Sequence, residues 1–161
     1  VGTGRVRRVL VLDLDVHQGD GTAAILADDA AVMTVSVHCE QNFPARKQRS
    51  DLDVGLPRGA GDNEYLAAVG ALLPRCLGEF RPDLVLYDAG VDVHEDDALG
   101  HLCVTDGGLL RRERLVLDTC LAAGVPVAAF VGGGYHECLD TLADRHILLF
   151  RAAADLAGDH L

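Results

Sequence analysis

The chain has 161 residues, 49% of them hydrophobic, enough for one domain with a buried core and too apolar for a disordered segment. Its formal charge of -11 argues against a nucleic-acid backbone as partner, because such binding rests on clustered Lys and Arg and the basic tract Arg5, Arg7 and Arg8 is short. Five scattered cysteines without a C-x-x-C pair suggest neither a disulfide framework nor cysteine-held zinc; the expectation is a reducing cytoplasm, with no signal peptide and no membrane span. An acidic surface suits a cationic partner such as a lysine-rich tail or a polyamine, or serves solubility alone.

In chain order, the first predicted element is a strand from Val6 to Asp15, which runs into Val16-His17-Gln18-Gly19-Asp20-Gly21. A second strand follows at Val32 to His38. The segment Cys39 to Gly61 contains Pro44, Arg46, Lys47, Arg49 and Pro57, shows no periodicity, and reads as a long functional loop. A helix is predicted over Asn63 to Phe80, with Tyr65, Leu66, Val69, Leu72, Leu73 and Leu77 at helical spacing after Asp62 as N-cap. Then come a strand at Leu84 to Ala89, a helix at Thr105 to Ala122, a strand at Val125 to Val131, and a helix at Leu139 to Leu156. Strands alternating with helices, rich in Val and Leu with only 4% aromatic residues, predict an α/β fold. The expected form is one domain over residues 1–161, a parallel sheet with helices on both faces.

Ligands of such sheets bind beyond the carboxyl ends of the strands, and the chain's polar chemistry gathers there. Alternation along the first strand puts Asp13, Asp15 and His17 on one side and Leu12, Leu14 and Val16 on the other. Two carboxylates left ionised at a buried strand end cost several kcal/mol each unless a cation compensates. A metal would remove that penalty. The acidic run Asp88, Asp92, Glu95, Asp96 and Asp97 after the third strand could close the site.

Each residue also has a plainer reading. Phe43 could pack beneath its loop, Ser36 could cap a strand, Gly132 to Gly134 could be an ordinary αβ turn, and Tyr135 could be structural. His38, His94, His101, His136, His146 and His160 read as surface or supporting residues.

At these positions the sequence resembles the histone deacetylase family, its class IV branch in particular. The resemblance runs almost end to end, through Asp13-Leu14-Asp15-Val16-His17-Gln18-Gly19-Asp20-Gly21, Val32 to His38, Pro82 to Asp92, Leu99-Gly100 and Gly132-Gly133-Gly134-Tyr135. Gln18, where most classes have a second His, and the run Glu95 to Leu102 are the class IV features. The resemblance implies an arginase/deacetylase-like fold and zinc-dependent hydrolysis of N-acyl amides, acyl-lysine or a related acylated amine. It implies Asp15, His17 and Asp92 as zinc ligands and Tyr135 as the residue that hydrogen-bonds the oxyanion. Asp13 and Asp20 match carboxylates that orient the family's paired histidines. Asp13, Ser36 and Val37 match a potassium site, and Phe43, Leu99, Gly133 and Gly134 match the substrate channel.

The family's general base comes from a His-His pair upstream of the first strand, and no His-His dipeptide occurs in this sequence. The expectation is therefore the C-terminal portion of the fold, weakly active by itself and prone to associate through an exposed sheet edge. Two alternatives stand beside this reading. A ureohydrolase-like site with two manganese ions would need a carboxylate two residues past His17, where Gly19 stands. A non-catalytic metal-binding module would share every residue named above.

Overall fold

The computed structural model describes residue 4 and residues 6–159; Arg5 of the basic tract and His160 lie outside them. Five strands, β1 (Val9–Asp13), β2 (Val32–Cys39), β3 (Leu52–Leu56), β4 (Leu84–Asp88) and β5 (Val127–Phe130), form one sheet in the order β3-β2-β1-β4-β5, every pair parallel. Four helices join them: α1 (Asp20–Leu26), α2 (Asp62–Phe80), α3 (Asp106–Ala122) and α4 (Leu139–Asp159).

The connections run one way from β1 to β2 and the other way from β3 through β4 to β5. Right-handed crossovers then put α1 on one face of the sheet and α2 and α3 on the other, with α4 packed on α3. The burial pattern carries this asymmetry. Leu10, Leu12, Val85 and Tyr87 are sealed against α2 and α3, whereas Val11, Leu84 and Leu86, which alternate with them, are half-buried on the face that carries α1.

Two elements depart from the sequence expectation. The segment 39–61 contains β3, which pairs with β2 from Val35↔Leu52 to Cys39↔Leu56. Its alternation of apolar and polar residues is short and holds Asp53 and Gly55, so an isolated sequence window offers little strand signal, and pairing with β2 decides it. Asp20–Leu26 forms a seven-residue helix too short for its periodicity to register. The first strand also ends at Asp13, so Asp15 and His17 stand past the ladder.

Tyr65, Val69, Leu73 and Leu109 meet Leu10, Leu12 and Val35 in the core. Leu12 sits at the centre of β1 with no exposure, and Leu139 is 75% exposed. Leu12→Ala is expected to lower unfolding free energy by about 2–5 kcal/mol and Leu139→Ala by less than about 0.5 kcal/mol, measured by urea titration.

Candidate metal centre

Parallel register aligns one residue from each strand end in a row: Asp53, Ser36, Asp13, Asp88 and Phe130. Residues in register share a face, so three carboxylates meet at the edge of the sheet. Asp53 accepts hydrogen bonds from Gln18 Nε2 at 2.9 Å and from the Ser50 amide at 2.9 Å. Among the described residues neither Asp13 nor Asp88 forms an ion pair, and the charge of the Arg112 guanidinium offsets the burial of Asp88 only in part. Burial, and then the charge of Asp88, pushes the Asp13 carboxyl up to about 8; burial raises Asp88 to about 6.

Beyond the row, Leu14 and Val16 point into the core, which leaves Asp15 and His17 over the end of the sheet. Asp92 arrives from the loop after β4. One donor atom from each of Asp15, His17 and Asp92 lies within 4.8 Å of the others, the single such grouping among the described residues. His17 Nδ1 is 2.9 Å from Asp15 Oδ1 and 3.1 Å from Asp92 Oδ2. Backbone amides orient both carboxylates: Val16 donates to Asp92 Oδ1 at 2.8 Å, His17 to Asp15 Oδ1 at 2.8 Å, and Gly133 to Asp15 Oδ2 at 3.0 Å.

The electrostatics describe a site that wants a positive charge. Hydrogen bonds to Asp15 and then Asp92 raise the His17 imidazole to about 10. Burial pushes Asp92 up to about 6; in Asp15 burial acts the same way but is outweighed by the hydrogen bonds from His17, and its carboxyl falls below the ordinary value. A proton on His17 balances the pair, and a divalent metal held by the same three atoms would replace it. The donor set fits such an ion. So does the space above it, because a Cβ on Gly133 would collide with carboxylate oxygens of both Asp15 and Asp92, and one on Gly132 with Asp88.

The glycine turn delivers Tyr135 to this centre. Asp97 accepts the Tyr135 amide at 2.6 Å through one oxygen and the Leu99 and Gly100 amides at 2.8 Å through the other, while Ala98 donates to the Tyr135 carbonyl at 3.0 Å. The Tyr135 ring stands edge-on to His17 at 6.3 Å, and the Phe43 ring does so at 6.4 Å. Phe43, 65% exposed, and Leu99, 51% exposed, face an open cleft of about 700 Å³ floored by Asp15 and His17. Phe43 does not pack beneath its loop.

The other expected site residues take varied places. Asp20 opens α1 and lines the cleft. Asp13 lies beneath the centre, accepting the Asp15 amide at 3.0 Å, and is not one of the converging three. Ser36 pairs with buried His38 Nδ1 at 3.0 Å, and Val37 is fully buried. Gly134 sits behind the turn, where a Cβ would meet Val91 and Leu142 at 2.7 Å.

Three residues gain roles that sequence reading missed. Asp97 was one of an acidic run; its sole signal was an Asp ahead of Leu99-Gly100, a turn pattern. His101 lines the cleft with the Arg58 guanidinium 2.8 Å from its ring. Gln18 is 3% exposed; besides its bond to Asp53, its side-chain amide donates to the Gln48 carbonyl at 2.7 Å and accepts the Gln48 backbone amide at 2.8 Å, so it anchors the loop that carries Phe43.

The histone deacetylase domain model matches residues 2–149. The chain belongs to the histone deacetylase family. An uncharacterised protein of Picosynechococcus sp. is 58% identical over 95% of this chain and 51% of its own length. A probable deacetylase of Methanothermobacter thermautotrophicus is 35% identical over 81% of this chain and 42% of its own. The solved acetylpolyamine aminohydrolase from Burkholderia pseudomallei superposes with a TM-score of 0.77 at 28% identity, over 93% of this chain and 46% of that one. The chain thus spans about half, or less, of the length of these family members. Among the described residues no helix is long and apolar enough to cross a membrane.

The carboxyls raised by burial make the metal-free protein alkali-sensitive. Asp13, Asp88 and Asp92 keep protons in the fold that the unfolded chain releases near 3.8, so stability falls as pH rises to about 6 for Asp88 and Asp92 and to about 8 for Asp13. The His17 contribution is complete below 6.5 and is lost as pH rises through about 10. Asp15 acts oppositely, its contribution present above 3.8 and lost in stronger acid. In chelator-treated protein the calorimetric Tm is expected to fall steadily from about pH 5 to about pH 9.

Proposed function

We propose that this chain carries the metal-binding and oxyanion-stabilising part of a zinc-dependent hydrolase of N-acyl amides, acting on acyl-lysine or a related acylated amine. The observation that supports this most is the convergence of Asp15, His17 and Asp92 beneath the Tyr135 ring at the floor of an open cleft. Two carboxylate oxygens and one imidazole nitrogen are a hydrolytic zinc donor set with open positions; zinc held there would polarise the acyl carbonyl and acidify water. Membership of the family, and the likeness to an acetylpolyamine aminohydrolase, favour an acylated amine as substrate.

In this reading Tyr135 donates its hydroxyl hydrogen bond to the carbonyl oxygen as negative charge develops, and the bonds its backbone donates to Asp97 and accepts from Ala98 keep it in place. Phe43 and Leu99 flank the acyl-bearing arm and exclude water from it. Asp13 and Asp20 orient proton-carrying groups near the reacting atoms. Asp13, Ser36 and Val37 would hold a potassium ion, whose charge would offset the buried carboxylates. A His-His pair supplied as general base would contribute a factor on the order of 10² to 10⁴ to the rate.

A second reading, in which these 161 residues form a metal-binding module without turnover of their own, rests on the same three donors. A two-manganese ureohydrolase fits less well, because Gly19 stands where a bridging carboxylate would be needed. Elemental analysis is expected to give one zinc per chain, lost in Asp15→Ala, His17→Ala and Asp92→Ala; two metals per chain would favour the ureohydrolase. Tyr135→Phe should keep the zinc and lower acyl-lysine turnover about 10²- to 10³-fold in a fluorogenic assay. Turnover that appears only when a polypeptide bearing a His-His pair is added would select the module.

The open edge of β5 is where association is proposed. Phe130 is 45% exposed and Val131 51%, and Phe150 of α4 is 61% exposed. Sedimentation velocity should find assemblies larger than a monomer, shifted towards monomer by Phe130→Lys with Val131→Lys.

A further inference from the structure

Beneath the cleft, α3 supplies a guanidinium that the chemistry above leaves unused. Arg112 has no exposed surface, and neighbouring Glu113 is 1% exposed. Arg112 Nη1 donates to the Gly90 carbonyl at 2.7 Å and lies 3.4 Å from the Leu14 carbonyl; Nη2 reaches the Ala89 carbonyl at 3.3 Å and a Glu113 carboxylate oxygen. The other Glu113 oxygen accepts the Tyr87 hydroxyl at 2.6 Å. Tyr65 adds its hydroxyl to the Leu14 carbonyl at 2.9 Å and lies 3.3 Å from Arg112 Nη1.

The acceptors are not scattered. Leu14 immediately precedes Asp15, and Ala89 and Gly90 lead into Asp92. All three lie just past the ends of β1 and β4, and the planar fork of arginine, with five donors in fixed directions, can hold two chain segments at once. The segments touch, since a Cβ on Gly90 would lie 3.0 Å from Asp15 Cα. Burying an ion pair is a poor route to stability, as apolar residues of the same volume often do as well or better. Its placement therefore asks for another purpose.

We propose that Arg112 is a positioning residue for the metal centre: by binding the carbonyls of Leu14, Ala89 and Gly90 it sets the separation between the segment bearing Asp15 and His17 and the segment bearing Asp92. The inference rests on reading those three as the metal ligands. Glu113, held by Tyr87, keeps the guanidinium in register and balances its charge.

The test measures the zinc Kd of the folded chain by chelator competition, alongside thermal unfolding. Arg112→Lys and the triple variant Arg112→Met, Glu113→Leu, Tyr87→Phe, which replaces the buried polar cluster by apolar groups of similar size, should bind zinc about 10- to 100-fold more weakly. The triple variant should do so with a Tm near or above that of the wild type. Leu73→Ala, a core substitution in α2, should lower the Tm and leave the zinc Kd within about twofold. Zinc affinity within twofold of wild type in the folded Arg112 variants, with binding abolished in Asp92→Ala, overturns the inference alone. A loss in Leu73→Ala equal to that in Arg112→Lys overturns it too, as a stability effect. A folded wild type that takes up no zinc overturns both the inference and the ligand assignment.

Discussion

Negative charge buried at the ends of parallel strands is the constraint around which this protein is organised. Asp13, Asp15, Asp88 and Asp92 come together because β1 and β4 are neighbours in the sheet and each carries carboxylates at or just past its end. Burial raises Asp13, Asp88 and Asp92, hydrogen bonds from His17 lower Asp15, and the Asp15–His17–Asp92 grouping gathers the unbalanced charge at one point. In a low-dielectric setting such a point demands a cation, and the imidazole proton or a metal supplies it.

The surrounding structure serves that point through atoms that cost little to commit. Backbone amides of Val16, His17 and Gly133 fix the carboxylate oxygens, and glycines at 132 and 133 keep side chains away from them. Asp97 does for the rim what these amides do for the floor, since a single carboxylate ties Tyr135 to Leu99 and Gly100. Gln18 fastens the loop bearing Phe43 from the opposite side. Both cleft walls are thereby referred to the same strand ends as the charged centre. Elsewhere the sheet is covered less completely: Val11, Leu84 and Leu86 are only half-buried on the face that carries α1, and Phe130 of β5 is exposed.

Much of this was legible in the chain. Apolar runs of Val and Leu ending in Asp or Gly announced four of the five strands, and helical spacing announced three of the four helices, because core burial imposes periodicity directly on the residues. The strand β3 escaped because Asp53 and Gly55 interrupt its pattern and its pairing partner β2 supplies the missing preference. The trio Asp15, His17 and Asp92 was readable from motif resemblance. Arg112 was not, since a charged residue inside an amphipathic helix reads as solvent-facing until its neighbours are known.

By itself, the sequence determined the α/β alternation, the acidic strand ends, the glycine turn before Tyr135 and the absence of a His-His pair, all of which are local patterns. Only the tertiary structure decided that Asp13 stands in register with Asp88 yet apart from the converging three, that Gln18 and Asp97 hold loops, and that Arg112 lies sealed under Leu14 and Gly90. These depend on which segments become neighbours. That is set by strand order and by the face on which each helix packs, which no local window of sequence contains.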